Sequence, residues 1–254
     1  GKGPGVDRSG DALRHANYAG TSGLGGVLAL MGDDHTAESS TTCNQSEFAM
    51  VDSMIPVLNP SGVQEIIDYG ILGWALSRYS GCWVGLKCVH DTVEATASIN
   101  VDAERLEVKI PNDFKFPEDG LNIRFPDTPH AQDRRIHEFK IDAVRSFCRA
   151  NKLDRTIWSV GGSAKIGVVS VGKSYLDTRL AFDELGVDEA VAERLGVRLY
   201  KVAMPWPLEP EGILEFAQGL DLIIVVEEKR ALIEPQIKEL LYDALSPPQV
   251  IGKT

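Results

Sequence analysis

Short apolar runs of strand length alternate with amphipathic stretches of helix length along most of this chain. In the N-terminal part, apolar runs at Gly26 to Met31 and Cys82 to Val89 flank a helical pattern from about Pro60 to Tyr79. Such alternation, with near-continuous apolar strands, is typical of parallel sheets whose two faces are both covered by helices. We therefore expect an α/β protein built from parallel-sheet, three-layer units, the first of them over 1–100.

The same alternation resumes after Lys165. Three apolar runs, IGVVSVG, RLYKVAM and LDLIIVV, are each followed by a helical pattern. Their spacing predicts a second, three-strand α/β unit over 163–254.

The part of the chain between the two alternations has a different character. Four prolines punctuate a polar stretch there: Pro111, Pro117, Pro126 and Pro129. A charged amphipathic helix follows, from about Ala131 to Asn151, with Phe139, Val144 and Phe147 as candidate inward positions. Because clustered prolines favour irregular structure, 101–162 is predicted to be an irregular linker that ends in one long helix.

Composition excludes several classes of protein. With 43 % hydrophobic residues the chain can build a proper core, and its net charge of −11 argues against a nucleic-acid partner, since phosphates would repel it. No signal peptide is visible and the longest pure apolar run is short, so we expect no membrane contact and a cytoplasmic location. No C-x-x-C pair occurs among the four cysteines, which indicates reduced, mostly buried thiols rather than an iron–sulfur or zinc site.

One motif resembles a phosphate-binding loop. Residues 167–174 (GVVSVGKS) match the pattern G-x-x-x-x-G-K-[ST]. A phosphate loop needs its strand before the first glycine, so that the intervening residues can curl and direct their N–H groups at phosphate. Here those residues are mostly valines, which favour strand. We therefore interpret Gly172 as a tight strand-to-helix turn and Ser174 as a helix cap, and keep a P-loop nucleotide hydrolase only as a remote alternative.

The most polar part of the chain, the segment from Gly32 to Glu47 (GDDHTAESSTTCNQSE), directly follows an apolar strand. In open α/β sheets, ligands bind beyond the carboxyl ends of the strands, and active-site loops supply donors and acceptors without regular structure. Two interpretations stay open on this ground alone. The segment is either an active-site loop or a solvated loop with an incidental cluster of polar residues.

Long runs of the sequence resemble a known family. Residues 1–50, the run NPSGVQEIIDYGILGWALSRYSGCWVGLKCVHDTVEATASI, and the later runs IGVVSVGKSYLDTRLAFDELG and MPWPLEPEGILEFAQGLDLIIVVEEKR are similar to the thiamine-diphosphate-dependent 2-oxoacid:ferredoxin oxidoreductases. The long fused bacterial indolepyruvate ferredoxin oxidoreductases are the branch that they resemble most. The resemblance is weakest between about Val101 and Ala131.

The resemblance implies a partial pyrimidine-binding domain at 1–100 and a transketolase C-terminal-like domain at 163–254, as an internal fragment of a longer enzyme. The implied reaction is oxidative decarboxylation of an aryl 2-oxoacid with coenzyme A to acyl-CoA and CO₂, with electrons passed to ferredoxin. The implied cofactors are thiamine diphosphate with Mg²⁺, and [4Fe–4S] clusters. The implied partners are other domains of the same chain and further copies of it in a homo-oligomer.

The same resemblance implies that much of the cofactor site lies elsewhere. The glutamate that activates the cofactor should precede Gly1, and the sequence has no G-D-G motif for Mg²⁺ and diphosphate. The fragment alone is therefore expected to be inactive and to bind no cofactor tightly. A non-catalytic domain-packing module is the alternative function.

Candidate site residues follow from the resemblance. Gly3 to Arg8 is expected to be the loop nearest the cofactor, with Gly3 and Gly5 allowing close backbone approach and with Asp7 and Arg8 bracing the loop through a salt bridge. The pocket is expected to be lined by polar side chains of two regions: His15, Asn17, Thr21, Ser22, Asp33, Asp34, Ser39, Ser40 and Gln45.

Some of these roles have alternatives. His35 is either a proton donor near neutral pH or a structural histidine bonded to Asp34. His15 and Asn17 either face the pocket or cap the first helix. In the related pyruvate enzymes the loop of Thr21 and Ser22 carries an arginine for the substrate carboxylate, and this sequence has none there. Lys87 and His90 are weaker candidates, and Glu227 and Glu228 are expected to make a subunit or domain contact.

Overall fold

The computed structural model describes residues 2–160 and 164–253. The chain divides into two compact units, Gly1–Asn151 and Lys152–Thr254. Residue 163, where the second domain is predicted to begin, lies outside the described residues. Among the helices of the described ranges, none combines the length and the hydropathy needed to cross a membrane.

Unit 1 contains three strands and the helices around them. Its elements are α1 (Gly3–Ala19), β1 (Leu28–Asp33), α2 (Glu47–Asp52), β2 (Val57–Leu58), α3 (Val63–Ser80), β3 (Val84–Val89), α4 (His90–Val93), a 3₁₀ turn (Ala103–Arg105), α5 (Pro129–Arg135), a π-helical turn (Ile136–Lys140) and α6 (Ile141–Ala150). The sheet is fully parallel in the order β1-β3-β2. The parallel α/β architecture expected from the alternation is thus confirmed.

Helix α1 begins at Gly3. Pro4 suits the first turn, where its missing N–H has no helical partner in any case. Val6 is buried against Met31 and Met50 of the unit 1 core, and this burial offsets the entropic cost of the glycines. The expectation that Gly3 to Arg8 form a loop is therefore wrong, because these residues are helical.

The proline-rich middle segment and the long helix after it belong to unit 1, which extends to Asn151. Tyr79 at the end of α3 is surrounded by three aromatic rings with centroid distances between 5.1 and 6.5 Å, those of Phe114, Phe116 and Phe147. Along the long helix, Val144 and Phe147 are fully buried as predicted, while Phe139 is only partly buried.

Lys140 is fully buried in the same helix. Its Nζ lies 3.4 Å from the backbone oxygen of Asn17 and 3.2 Å from that of Gly81. Burial lowers the pKa of this ammonium group. Two backbone carbonyls at the ends of α1 and α3 thus anchor the long helix.

Unit 2 contains a five-stranded sheet in the order β4-β6-β5-β7-β8. Its elements are β4 (Arg155–Trp158), β5 (Ile166–Val171), α7 (Gly172–Glu184), α8 (Glu189–Leu195), β6 (Val197–Val202), α9 (Pro210–Ala217), β7 (Leu222–Val226), α10 (Ile233–Leu241) and β8 (Gln249–Ile251). The three predicted strands form the centre of the sheet. The predicted strand count is wrong, because a short antiparallel strand, β4, and a short parallel strand, β8, add the two edges.

Strand β5 runs through the motif that resembles a phosphate loop and ends at Val171. Gly172 has a φ of 52°, which only glycine adopts without strain, so the predicted tight turn is confirmed. Ser174 does not cap α7, because it lies inside the first turn and is buried. The side chain of Lys173 instead pairs with Asp177 at 2.7 Å.

Candidate functional site

The polar segment follows β1 at the carboxyl edge of the unit 1 sheet, where parallel sheets bind ligands. Gly32 and Asp33 complete β1 and Glu47 begins α2. The β1–α2 loop, residues 34–46, has no helix or strand, in agreement with the irregular structure predicted for it.

Three charged side chains are buried together beneath the β1–α2 loop. Nζ of Lys87 on β3 lies 2.5 Å from Oε1 of Glu47 and 3.9 Å from Oδ2 of Asp33. All three side chains are at most 4 % exposed. A buried charge is tolerated only when an opposite charge and hydrogen bonds replace its hydration, so Lys87 is the counter-ion of both carboxylates.

Asp33 closes the base of the loop. Its carboxylate accepts hydrogen bonds from the backbone N–H of Ser46, at 2.9 Å, and from the Ser46 hydroxyl, at 2.5 Å. The two ends of the β1–α2 loop are thereby held together. The prediction that Asp33 lines a pocket is not supported by this geometry, because the side chain turns into the protein.

Asp34 organises the turn that follows. Its carboxylate accepts the backbone N–H groups of Glu38 and Ser39, both at 2.9 Å. The N–H of Ser39, with further hydrogen bonds from Glu38 and Ser40, lowers the pKa of Asp34 from 3.8 to about 2. A charged carboxylate therefore holds the turn in shape.

His35 is fixed by the backbone of the same loop. Its Nδ1 lies 2.9 Å from the carbonyl oxygen of Asn44, and because a carbonyl only accepts, Nδ1 carries the hydrogen. Asn44 also accepts the backbone N–H of Asp34 with its side-chain oxygen, at 3.1 Å. Nδ1 of His35 thus contacts a backbone carbonyl. The structural alternative expected for His35 from the sequence was a hydrogen bond to Asp34. The role of His35 as a proton donor stays a prediction.

The start of α1 lies against the β1–α2 loop. Nζ of Lys2 donates to the backbone oxygen of Ser39, at 2.8 Å, and to its hydroxyl, at 2.6 Å. A Cβ added at Gly3 would lie 2.6 Å from the Cβ of Asn44, whereas one added at Gly5 would meet no atom within 4 Å. The structure therefore brings Gly3 and the polar segment together, as the sequence predicted, and only Gly3 is required to be glycine.

Asp7 and Arg8 are exposed on α1. Neighbouring residues on a helix point in different directions, and the loop that they were expected to brace is a helix. Ser40 and Gln45 remain on the β1–α2 loop as half-buried side chains, and Ser39 is exposed.

Four other predicted pocket residues lie outside this loop: Asn17, Thr21, His15 and Ser22. Asn17 is fully buried, and both polar groups of its side chain bond to the backbone. Nδ2 donates to the carbonyl oxygens of Ser53 and Met54, and Oδ1 accepts from the N–H of Trp83. The hydroxyl of Thr21 donates to the backbone oxygen of Ser77, at 3.1 Å. Asn17 and Thr21 are thus structural rather than pocket-lining.

His15 lies instead on a separate groove of about 370 Å³ between α1 and α5. It is 3.5 Å from Asp11, one turn earlier, and both side chains are exposed. Burial raises the pKa of Tyr18, which lines the same groove. Ser22 is exposed in the turn before β1, where its carbonyl accepts the N–H of Gly25.

Two solved structures share the fold. A 2-oxoglutarate:ferredoxin oxidoreductase from Magnetococcus marinus, determined with 2-oxoglutarate, coenzyme A and succinyl-CoA bound, aligns with a TM-score of 0.62 and 17 % identity over 99 % of this chain and 49 % of its own. A split-gene transketolase, in an inactive β4 tetramer, aligns with a TM-score of 0.52 and 14 % identity over 96 % of this chain and 61 % of its own. At these identities the likeness concerns the fold alone, and it confirms the thiamine-enzyme-like fold expected from the sequence.

Sequence comparisons extend the likeness to particular relatives. Residues 155–254 match the family model of the indolepyruvate oxidoreductase domain. Indolepyruvate oxidoreductase subunit IorA from Pyrococcus abyssi is 28 % identical over 246 residues, and IorA from Archaeoglobus fulgidus is 26 % identical over 257 residues. The chain is therefore similar to the 2-oxoacid:ferredoxin oxidoreductases over nearly its whole length. The resemblance to this family that was predicted from the sequence is confirmed.

The matched part is only a section of these relatives. The two IorA alignments cover 96 % and 98 % of this chain but 36 % and 37 % of the subunits themselves. The chain therefore spans about a third of the length of the curated relatives it matches.

The residues present can be tested against the cofactors of such a family. Within residues 2–160 and 164–253, no group of three or more His, Cys, Asp or Glu side chains could hold a metal ion. Cys82 and Cys148 are buried and Cys43 is exposed, so fewer of the thiols are buried than the sequence suggested. These residues do not fit the Mg²⁺–diphosphate end of thiamine diphosphate or an iron–sulfur cluster.

Sequence reasoning missed the pairing of Glu47 with Lys87, residues forty positions apart. The one available signal was the lysine inside the apolar run CWVGLKCV, since a charge in a strand covered on both faces needs a buried counter-ion. The local role of Glu227 was also missed. Its carboxylate accepts the N–H groups of Leu232 and Ile233 at the start of α10 and so satisfies the helix end.

Proposed function

We propose that this chain is part of a thiamine-diphosphate-dependent 2-oxoacid:ferredoxin oxidoreductase that acts on aryl 2-oxoacids such as indolepyruvate. The observation that carries the proposal is the similarity to indolepyruvate oxidoreductase subunit IorA, which extends over both units and 96 % of the chain. The indolepyruvate oxidoreductase model matched by residues 155–254 supports the same substrate class.

The proposed reaction converts the 2-oxoacid and coenzyme A to acyl-CoA and CO₂, and its electrons pass through iron–sulfur clusters to ferredoxin. Thiamine diphosphate, when bound, supplies the stabilisation of the carbanion that decarboxylation requires. This chain's own contribution is one wall of the cleft. The start of α1 and the β1–α2 loop form that wall, with unit 1 as a pyrimidine-binding domain and unit 2 as a transketolase C-terminal-like domain.

The wall performs two tasks in this proposal. The turn held by Asp34 keeps the backbone of the loop fixed beside the reacting groups, which lowers the entropic part of the barrier. The buried ion pairs below it exclude water from that side of the cleft. His35, oriented by Asn44, is the candidate proton donor of the wall, and Ser39 and Ser40 are the candidate hydroxyl contacts.

The test is turnover by the full-length enzyme that carries this sequence. Coenzyme A-dependent reduction of ferredoxin should be faster with indolepyruvate or phenylpyruvate than with pyruvate or 2-oxoglutarate. Faster reduction with 2-oxoglutarate would place the enzyme in another substrate branch. A lack of reduction with all four acids, in preparations whose thiamine and iron content is verified, would contradict the proposal.

A second role, as a non-catalytic packing module, is favoured by the surface of α3. Ile67, Ile71 and Trp74 follow helical spacing and are 37 %, 47 % and 45 % exposed. In this role, Ile71→Lys would prevent assembly of the full-length enzyme. Leu180→Lys on α7, which also replaces an exposed aliphatic side chain, serves as the control. Unchanged assembly of Ile71→Lys would exclude α3 as the packing surface.

A further inference from the structure

The buried charges beneath the β1–α2 loop occupy both of its ends. Asp33 is the residue before the loop and Glu47 is the residue after it. Lys87 comes from the middle of the neighbouring strand β3, where it is the register partner of Met31. One ammonium group on a rigid strand therefore contacts the residues that enter and leave the loop.

The two contacts of Lys87 differ in strength. Its Nζ makes a direct ion pair with Oε1 of Glu47 at 2.5 Å, while Oδ2 of Asp33 lies at 3.9 Å. Among the described residues, the other oxygen of Glu47, Oε2, is buried without a hydrogen-bond partner. Lys87 is thus the counter-ion that compensates the buried charge of Glu47. Loss of the ammonium group would leave this carboxylate buried without a counter-ion, which is unfavourable unless α2 and the loop move.

We infer that Lys87 is a positioning residue, which fixes the β1–α2 loop against β3 and thereby sets the position of the loop's reactive side chains. The inference rests on the proposed function, in which this loop faces the cofactor and the substrate. Lys87 itself is 2 % exposed, so it acts through Glu47 and Asp33 and does not touch substrate.

The chain offers a matched control for the loss of a buried lysine. Lys140 is also fully buried in unit 1, but its Nζ donates to backbone oxygens, those of Asn17 and Gly81, at 3.4 and 3.2 Å. Asn17 lies near the far end of α1 from Gly3, which is a distance of roughly 20 Å along the helix. Lys140→Met therefore removes a buried ammonium group without touching either end of the β1–α2 loop.

The first measurement is hydrogen–deuterium exchange of this chain. Lys87→Met should speed exchange in residues 34–46 by about tenfold or more, whereas Lys140→Met should leave that loop at the wild-type rate. Lys87→Arg should restore most of the protection, because it keeps the positive charge. Should Lys87→Met fail to fold, Glu47→Gln replaces it, since the amide removes the ion pair and leaves Lys87 opposite Asp33.

The second measurement is turnover in the full-length enzyme, with each variant assayed well below its own melting temperature. Lys87→Met should lower kcat by about 100-fold with a smaller change in KM, as expected when reacting groups are misplaced by about 1 Å. Lys140→Met should retain kcat near the wild-type value, and Lys87→Arg should recover most of it.

The outcomes separate this inference from the proposed function. Equal protection of residues 34–46 in Lys87→Met and Lys140→Met overturns the inference, as does a loosened loop with unchanged kcat. An inactive wild-type enzyme contradicts the proposed function instead, and in that case the exchange measurement still decides whether Lys87 holds the loop.

Discussion

Asn17 has a structural role, whereas the sequence left open whether it faces a pocket or caps the first helix. Asn17→Ala removes three hydrogen bonds to backbone groups, at 2.9, 2.7 and 2.9 Å, from a fully buried site. At about 1 kcal/mol for each bond, the free energy of unfolding should fall by about 3 kcal/mol. For a unit of this size, that loss corresponds to a decrease in melting temperature of about 6–12 °C.

Thermal and urea unfolding of the chain, followed by circular dichroism, measures this loss. Asn112→Ala, at an exposed position of the same unit, is the matched control and should change stability little. Asn17→Asp keeps the size of the side chain but turns a donor into a carboxylate facing two carbonyl oxygens, so it should be at least as destabilising. A loss below about 1 kcal/mol for Asn17→Ala would refute the structural role.

Three further predictions concern the start of α1, the β1–α2 loop and the motif of unit 2. Gly3→Ala should destabilise the chain, because its Cβ would clash with the loop, whereas Gly5→Ala should stabilise it by about 0.5–1 kcal/mol; urea unfolding compares the two. The pKa of Asp34 is lowered from 3.8 to about 2, so its stabilisation of the turn is complete above about pH 4 and is lost as the pH falls towards 2. Amide exchange at Ser39, followed by NMR, should accelerate over that window relative to the rate of an unprotected chain at the same pH. Asp34→Asn should show no such step. Lys173→Ala should leave any ATP binding measured by calorimetry unchanged, because the residues before it form a strand.

The fold was largely predictable because its central strands are long apolar runs. The runs that became β3 and β5 are buried on both sides, the run that became β7 alternates between buried and half-buried residues, and all three stand out from their surroundings. The edge strands β4 and β8 have only four and three residues, too short for a period to be recognised.

The candidate site was less predictable, because its contacts join distant positions. Composition located the polar segment, but no local pattern states that Glu47 turns inward to meet Lys87. Polar residue type also cannot distinguish an exposed pocket residue from a buried one such as Asn17, whose partners come from two other segments of the chain. The sequence favours a loop at Gly3 because glycine and proline are common in loops, although proline is also favourable in a first helical turn.

The proposal that this chain forms only one wall of the thiamine diphosphate site is tested most directly by calorimetry of the chain with thiamine diphosphate and Mg²⁺. Much of the cofactor's affinity should come from the Mg²⁺-bridged diphosphate, for which the described residues offer no metal-binding cluster. One wall leaves the pyrimidine exposed to water, so we expect a Kd of about 1 mM or weaker, on the order of −4 kcal/mol. A micromolar Kd would contradict the proposal, because it would require the diphosphate site to lie within this chain.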